Sequence, residues 1–398
     1  MDREILHCDC NAFFASVECV FNPDLKNVPM AVAGNPDDRH GIILAKNEIA
    51  KKFGVKTAET VWQARKKCPG LVLVPPRHGA YSDFSEKVNN IYLRYTDMVE
   101  PFGIDESWLD VTGSRLLFGN GKTIADEIRE TVKNELGLTV SVGVSFNKVF
   151  AKIGSDYKKP DATTVITREN YTDIVYPLPV SDLLYVGKST CEALRKLGIF
   201  TIGDLAGADE KILVRLLGKN GSILYRYARG EDMSAVAKYD DGEEIKSVGN
   251  SMTFRRDLVS YDEFCMGISV LSESVARRLR AKKLKCTTVQ ISVKTPDFKI
   301  FSKQKPLLRP TNLARDIESA AESLLIVPGK KPDPVRALSV TGMGLVSDNA
   351  PEQLLLVPDD ATEKREKLET VIDEIKNRYG EDKIKPAGIM KNDIGIDE

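Results

Sequence analysis

The sequence predicts an α+β fold divided into several domains. With 398 residues, the chain is long enough for about two to four domains of ordinary size. Up to residue 165, short apolar runs alternate with segments of helical periodicity in the order β-α-β-β-α-β, interrupted once. A polar stretch then separates a later, more basic series of strands and helices, which indicates a further domain.

The first strand of this pattern covers residues 4–8 and leads directly into Asp9. A helix follows through Phe13 and Phe14, and after it residues 21–78 interrupt the pattern. We expect this insertion to form short strands and helices separated by turns, with strands at 28–33, 41–45 and 71–75 and helices at 46–54 and 60–67.

The pattern resumes with a helix over 81–95 and continues with a strand pair, an amphipathic helix and a last strand, at 98–103, 107–112, 123–136 and 139–145. Gly137 is expected to end the amphipathic helix. In a β-α-β-β-α-β sheet the first strand lies beside the central hairpin. We therefore expect Asp9 to converge with Asp105 and Glu106, which lie in the hairpin turn.

The second half of the chain differs in composition. Short helices with glycine turns are expected up to residue 233, and a linker at 234–246. Residues 247–345 are predicted to form a strand, a long helix, two strands, a helix and a strand, and the remainder a tail with one charged helix at 361–379. The role of that helix stays open, and a solvated helix is its simplest interpretation.

The charge of the chain is unevenly distributed. Lys and Arg total 57 and Asp and Glu total 58, yet residues 246–345 hold 18 basic and 9 acidic side chains. This excess favours binding to a polyanion, although the run from Arg277 to Lys285 also fits a solvated helix face. The absence of a long apolar run argues against a membrane span, and seven scattered cysteines favour the reducing cytoplasm over a disulfide scaffold.

The three carboxylates predict a metal site. Acidic groups packed together repel unless cations neutralise them, and hard oxygen ligands suit Mg²⁺ or Mn²⁺. Two such ions can hold both the attacking and the leaving oxygen of a phosphoryl transfer. Taken alone, Asp105-Glu106 also fits a solvated turn. A zinc site at Cys8 and Cys10 is not expected, because no second Cys/His pair is nearby in the sequence.

The motifs around these carboxylates carry a family resemblance. They are DCNAFFASVE at 9–18, GIDESWLDV at 103–111, VSVGVSFNKVFAKI at 140–153, KKP at 158–160 and VGKST at 186–190. In this order they resemble the Y-family, or translesion, DNA polymerases, and the clamp-binding-like segment described below favours the bacterial branch. The resemblance spans about residues 4–357.

The resemblance implies a right-hand polymerase with a ferredoxin-like palm, small fingers, a helical helix-hairpin-helix thumb and a β/α little finger. The implied domains are the palm at 1–20 and 79–165, the fingers at 21–78, the thumb at 166–233, the linker at 234–246, the DNA-binding little finger at 247–345 and the tail at 346–398. The implied reaction is low-fidelity, template-directed insertion of deoxynucleotides opposite damaged bases, without a proofreading domain.

The resemblance also implies roles for the residues of the metal site. Asp9 and Asp105 would bridge two Mg²⁺ ions, for which Mn²⁺ can substitute. Glu106 would complete the coordination of the ion at the primer terminus, and the backbone carbonyl of Cys10 would help to hold the nucleotide's ion.

Further residues would contact the incoming deoxynucleoside triphosphate. Phe14 matches the steric gate that rejects a 2′-OH, and Phe13 would stack near the same sugar; without the motif both would be taken as core aromatics. Lys159 would reach the triphosphate, although a lysine before a proline also fits a solvated turn.

The fingers depart from the family pattern. Glu48 and Lys51 stand where the family carries an aromatic residue and an arginine, so Lys51 would bind phosphate without a bidentate fork, and Glu48 is expected to point away. Ile42 and Leu44 align with the roof over the new base pair, where bulk would narrow the range of accepted adducts.

The resemblance implies that primer–template DNA is the main partner of a monomeric protein. Gly187 and Lys188 would approach the DNA backbone, and Arg255 and Arg256 would do so from the little finger. The segment EQLLLV resembles the peptide that binds the bacterial sliding clamp, through Gln353, Leu354, Leu356 and Val357, although an edge strand is its rival interpretation.

Two other functions are weighed against the polymerase. A nucleotide cyclase also uses a ferredoxin-like palm and two metals, but it needs neither the helix–hairpin–helix nor the basic module. A catalytically weak scaffold that binds DNA and the clamp would explain Glu48 and Lys51, but it would not need all three carboxylates.

Overall fold

A computed structural model describes residues 2–35, 41–241, 245–326, 332–350, 360–380, 383–384 and 392–396. The described residues up to 241 form one compact unit, and those from 245 onward form a second. No helix within these ranges is long and apolar enough to cross a membrane. All seven cysteines are free thiols.

The strands of the first unit are β1 (Ile5–Cys10), β2 (Met30–Ala33), β3 (Ile43–Lys46), β4 (Val72–Val74), β5 (Val99–Pro101), β6 (Glu106–Asp110), β7 (Val140–Ser145) and β8 (Thr163–Ile166). Its helices are α1 (Phe13–Phe21), α2 (Glu48–Lys52), α3 (Val61–Lys67), α4 (His78–Tyr92), α5 (Arg115–Phe118), α6 (Gly121–Leu136), α7 (Lys148–Tyr157), α8 (Tyr171–Val175), α9 (Lys188–Arg195), α10 (Ile202–Gly207), α11 (Glu210–Leu217) and α12 (Lys219–Ala228). Short 3₁₀ turns lie at Pro23–Asn27, Thr112–Ser114 and Val180–Asp182.

The central sheet has five strands in the order β5-β6-β1-β7-β8. Its first four strands form the predicted β-α-β-β-α-β arrangement, in which β1 pairs antiparallel with both β6 and β7. Strand β8, which the sequence analysis missed, pairs parallel with β7 and extends the sheet. The predicted adjacency of the first strand and the hairpin is therefore confirmed.

The two faces of the central sheet are covered by different helices. Leu6, Cys8 and Cys10 of β1 face a core that includes residues of α1, α4 and α6. The alternate residues of β1 face helix α7, which packs against β7, β1 and β8. This packing is very close at Gly143, because a Cβ there would lie 1.9 Å from the carbonyl oxygen of Ala151.

The insertion after α1 forms a separate three-stranded sheet in the order β3-β2-β4. Strand β2 pairs antiparallel with β3 and parallel with β4. Helices α2 and α3 complete a small core around buried Ile43, Val61 and Leu71. The three strands and two helices predicted for this insertion are confirmed, with boundaries shifted by a few residues.

Helices α8 to α12 form the predicted helical region. They share a core with the apolar side of α7, which includes Phe150. Helices α9 and α10 form a helix pair joined by a turn in which Gly198 has a φ of 77°, and the glycine tolerates this left-handed conformation.

The second unit contains β9 (Ser247–Leu258), α13 (Tyr261–Ala281), β10 (Leu284–Lys294), β11 (Ile300–Thr311), α14 (Ala314–Leu325) and β12 (Val335–Ser347), in the predicted order. Its four strands pair antiparallel in the sheet order β11-β10-β12-β9. Helices α13 and α14 pack against each other and against the sheet, around a core that includes Phe254, Leu271 and Ile317.

The C-terminal part of the chain belongs to this second unit. Helix α15 (Asp360–Tyr379) places Glu369 and Asp373 against Arg280 of α13, with Asp373 2.7 Å from the guanidinium. Ile394 and Ile396 are buried in the core of the second unit. The simplest interpretation, a solvated helix, is therefore incomplete, because acidic side chains of α15 pair with Arg280 and two later isoleucines are buried in the second unit. The predicted clamp-binding residues 353–357 lie outside the described residues.

Candidate active site

The three predicted carboxylates lie at one edge of the central sheet. Asp9 is directly opposite Glu106 in the register of β1 and β6. The backbone N–H of Cys10 donates to the carbonyl of Asp105 at 2.9 Å, which fixes the hairpin turn against the end of β1. The structure thus brings together residues that are about a hundred positions apart in sequence.

These carboxylates repel one another in a partly buried site. Burial, followed by the negative charges of Asp9 and Glu106, raises the pKa of Asp105 to about 6. Burial also raises the pKa of Asp9, although the charge of Lys159 opposes the shift. A bound cation would relieve this repulsion.

Two lysines act as counter-ions to the carboxylates. The ammonium of Lys159 lies 2.7 Å from Asp9 and 2.6 Å from Asp156. Lys152, on α7, donates to Glu106. Their positive charges partly neutralise the carboxylates.

A buried histidine completes the surroundings of Glu106. His7 has no exposed surface; its Nδ1 lies 2.8 Å from the Ser155 hydroxyl and its Nε2 lies 3.4 Å from Glu106. Burial alone would raise the pKa of Glu106, but the neighbouring imidazole of His7 and the hydrogen-bonded ammonium of Lys152 lower it to about 2. The sequence analysis missed this role of His7, although strand alternation places His7 and Asp9 on the same face.

The donor set fits magnesium or manganese better than a softer metal. Asp9, Asp105 and Glu106 supply carboxylate oxygens, and Cys10 can supply its backbone carbonyl. Such hard oxygen ligands suit Mg²⁺ or Mn²⁺, whereas burial raises the pKa of the neighbouring Cys8 and Cys10 thiols. Within the described ranges, no three acidic, cysteine or histidine side chains are close enough together to form a ready-made metal site.

A cavity of about 460 Å³ opens beside the carboxylates. The predicted residues that line it are Asp9, Cys10, Phe13, Phe14, Leu44, Lys51, Asp105 and Lys159. Of the residues predicted for the metal ions, the nucleotide and the base-pair roof, Glu106 and Ile42 do not line this cavity. Lys46 and Thr57 also line the cavity, and the sequence analysis missed both.

Glu48 does not point away from the cavity as expected. It lines the cavity together with Lys51, and its carboxylate lies 3.3 Å from the Lys51 ammonium. The physical reason is helical spacing: the two residues are three positions apart on α2, where opposite charges attract.

The ring of Phe14 is supported from behind. It stacks on the ring of Tyr81 with 4.1 Å between the centroids and 12° between the planes. The Tyr81 hydroxyl donates to the buried carboxylate of Glu18 at 2.7 Å, and Arg77 binds the same carboxylate. Tyr81 therefore supports the predicted steric gate, and Glu18 and Arg77 fix Tyr81 in turn. The sequence analysis missed all three side chains.

The predicted DNA contacts of the helical region lie at the start of α9. Gly187 is the residue before α9, and Lys188 is its first residue. A Cβ at Gly187 would meet nothing within 4 Å, so the backbone is open to an approaching ligand. Gly187 also lines a second cavity, of about 930 Å³, together with Lys152, Asp156 and Tyr185.

The predicted DNA contacts of the second unit lie on β9. Arg256 is engaged by Glu263 at 2.6 Å and by Asp393 at 2.7 Å. The backbone N–H of Arg255 donates to the carbonyl of Ile394 at 3.1 Å. A phosphate contact by Arg256 would therefore have to compete with two carboxylates.

Comparison with known proteins gives consistent matches. The family model described as the impB/mucB/samB family matches residues 8–156, and the model of that family's C-terminal domain matches residues 245–356. DNA polymerase IV of Acetivibrio thermocellus is 50% identical, over 100% of this chain and 99% of the relative. DNA polymerase IV 1 of Bacillus subtilis is 38% identical, over 98% of this chain and 94% of the relative.

A solved Y-family DNA polymerase chimera, Dbh-Dpo4(243-245)-Dbh, has the same fold. It superposes with a TM-score of 0.75 at 26% identity, covering 86% of this chain and 99% of the chimera. The predicted fold class and the predicted family resemblance are both confirmed. The chain belongs to the Y family of DNA-directed DNA polymerases, among relatives of the DNA polymerase IV type.

Proposed function

We propose that the chain is a low-fidelity polymerase that inserts deoxynucleotides opposite damaged template bases. A primer 3′-OH attacks the α-phosphate of a deoxynucleoside triphosphate, and pyrophosphate leaves. The observation that carries the proposal is the register of β1 and β6, which sets Asp9 opposite Glu106 and beside the Asp105 turn.

The carboxylates hold the metal ions in this proposal. Two Mg²⁺ ions, when bound, would supply charge neutralisation at the reacting phosphate. Asp9 and Asp105 would bridge them, Glu106 would serve the ion at the primer terminus, and the Cys10 carbonyl would serve the other. Lys159 would then leave its ion pair with Asp9 and bind the triphosphate, since Lys159 already lines the cavity.

Other residues select and position the substrates. Phe14 excludes a 2′-OH, Phe13 packs near the sugar, and Lys51 binds phosphate. Leu44 lies over the base pair with Ile42 beside it on the same segment.

The assignment of domains follows from these roles. The palm comprises 1–20 and 79–165, the fingers 21–78 and the thumb 166–233; after the linker at 234–246, the little finger comprises 247–345.

Gly187 and Lys188 contact the DNA backbone from the thumb, and Arg255 and Arg256 do so from the little finger. The tail 346–398 binds the sliding clamp through 353–357, which raises the enzyme's effective concentration at the primer end. The protein acts as a cytoplasmic monomer.

Primer extension tests the proposal. The wild type and the double variant Asp105→Asn/Glu106→Gln are compared with Mg²⁺ and four deoxynucleotides, on an undamaged template and on one with an abasic site. We expect distributive extension that passes the abasic site, with loss of activity in the double variant and on chelation of Mg²⁺.

The same experiment distinguishes the alternatives. Equal extension by the double variant would contradict the proposed site, and extension that stops at the abasic site would contradict the translesion role. DNA binding without any extension by the wild type would favour the scaffold, for which the ion pair between Glu48 and Lys51 is the one supporting observation.

A further inference from the structure

Lys46 is the last residue of β3 and lines the cavity beside the carboxylates. Leu44 and Ala45 of the same strand also line this cavity. The lysines of this lining are Lys46, Lys51 and Lys159. Of these, Lys46 has no role in the proposal above.

The three lysines differ in their partners. Lys51 is paired with Glu48 at 3.3 Å, and Lys159 is paired with Asp9 and Asp156. The ammonium of Lys46 instead contacts the neutral hydroxyl of Thr57 at 3.1 Å. Among the residues that the structure describes, Lys46 forms no ion pair.

The surroundings of Lys46 favour an anion. Burial, followed by the positive charge of Lys51, lowers the pKa of Lys46, although the negative charges of Glu48 and Glu59 oppose the shift. Two ammonium groups that repel each other are thus held at the rim of one cavity, and the charge of Lys51 is partly offset by Glu48. An anionic group between them would relieve the repulsion and restore the interactions that Lys46 loses by leaving water.

We propose that Lys46 binds the terminal phosphates of the incoming nucleotide, as a second cation of the fingers beside Lys51. This inference rests on the proposed function, because it assigns a residue to the same substrate. Lys46 would contribute to binding through charge and hydrogen bonds, and it would leave the chemical step at the α-phosphate to the carboxylates.

The test compares Lys46→Met with the wild type in primer extension. We expect the KM for the deoxynucleotide to rise about tenfold, as for loss of a hydrogen bond to a charged group, while kcat changes little. Inhibition by inorganic pyrophosphate should weaken by a similar factor, because pyrophosphate has no base or sugar. Lys46→Arg should restore most of the binding.

Lys52→Met provides the matched control. Lys52 is an exposed lysine of α2 outside the cavity lining, so its removal changes the net charge equally without removing the contact. An unchanged KM and unchanged pyrophosphate inhibition in Lys46→Met would overturn the inference. So would a weaker affinity for primer–template DNA as the only effect, since Lys46 would then contact DNA.

Equilibrium binding of deoxynucleotide to both proteins separates this inference from the proposed function. If the wild type extends no primer, yet binds the nucleotide more tightly than Lys46→Met does, the proposed function fails and the assignment of Lys46 stands. Equal binding by the two proteins overturns the assignment. Thermal unfolding of Lys46→Met and Lys46→Arg checks that both variants fold like the wild type.

Discussion

Phe14 and Tyr81 stack face to face, with 4.1 Å between their ring centroids, and the hydroxyl of Tyr81 is fixed by Glu18. This contact joins α1 to α4, two helices separated in sequence by the whole fingers insertion. The position of the proposed steric gate therefore depends on a partner that itself cannot turn freely.

Replacement of Tyr81 by leucine should weaken sugar selection. An aromatic pair is worth ~0.5–1.5 kcal/mol beyond its burial, so we expect the preference for deoxynucleotides over ribonucleotides to fall by about three- to tenfold. The ratio of kcat/KM for the two nucleotides measures this. Tyr81→Phe is the control, since it keeps the stack and loses only the hydroxyl; a wild-type preference in Tyr81→Leu would contradict the prediction.

Replacement of His7 by glutamine should impair the metal site. His7 contacts Glu106 and Ser155 from a buried position, and loss of such a supporting partner typically costs about 10–100-fold in metal affinity or activity. We expect the Mg²⁺ concentration for half-maximal extension to rise, together with a lower kcat. Unfolding in denaturant without metal serves as the control: reduced stability with an unchanged Mg²⁺ dependence would assign His7 a merely structural role.

Removal of Glu48 should improve nucleotide binding. Glu48→Ala frees Lys51 from its ion pair and removes a negative charge from the cavity. Exposed pairs are worth ~0.2–1 kcal/mol, so we expect the KM for deoxynucleotides to fall by a factor between about 1.4 and 5. Glu86→Ala, an exposed glutamate of α4 outside the lining, is the control for net charge. A rise in KM would mean that Glu48 orders Lys51 rather than competes for it.

The substitution Ile394→Ala should destabilise the second unit. Ile394 is 1% exposed in its core, and isoleucine-to-alanine changes in such sites cost about 2–5 kcal/mol in the free energy of unfolding. Denaturant unfolding of the full chain measures the effect. Leu368→Ala is the matched control, because Leu368 of α15 is 59% exposed. Equal stability of the two variants would show that the C-terminal segment is dispensable for folding.

Much of the fold follows from patterns that are local in sequence. Periodicity predicted the β-α-β-β-α-β order. The known strand order of that motif then predicted that Asp9 lies close to Asp105 and Glu106 in the hairpin. The second unit was predictable for the same reason, since its strands and helices are long. Strand β8 was missed because a strand of only four residues is too short to show a clear periodicity.

The rest of the site depends on contacts that no local pattern encodes. Lys152 and Ser155 reach their partners because α7 packs on one face of the sheet, and Glu18 reaches Tyr81 because α1 and α4 pack together on the other face. The docking of α15 was missed for a different reason: Arg280 and Glu369 are both ordinary surface residues until the chain folds back. Only Lys46 and His7 carried a usable signal, since each shares a strand face with a residue that was identified.

The missing side chain at Gly143 has an effect on the far side of β1. Strand β7 and helix α7 are in backbone contact there, because a Cβ at Gly143 would overlap the backbone of α7. Lys152, the residue after Ala151 on α7, extends across β1 to Glu106 on β6. A side chain at position 143 would push α7 away from the sheet and lengthen the distance that Lys152 has to span. The reach of Lys152 is thus set by a position with no side chain of its own, one strand removed from the carboxylates.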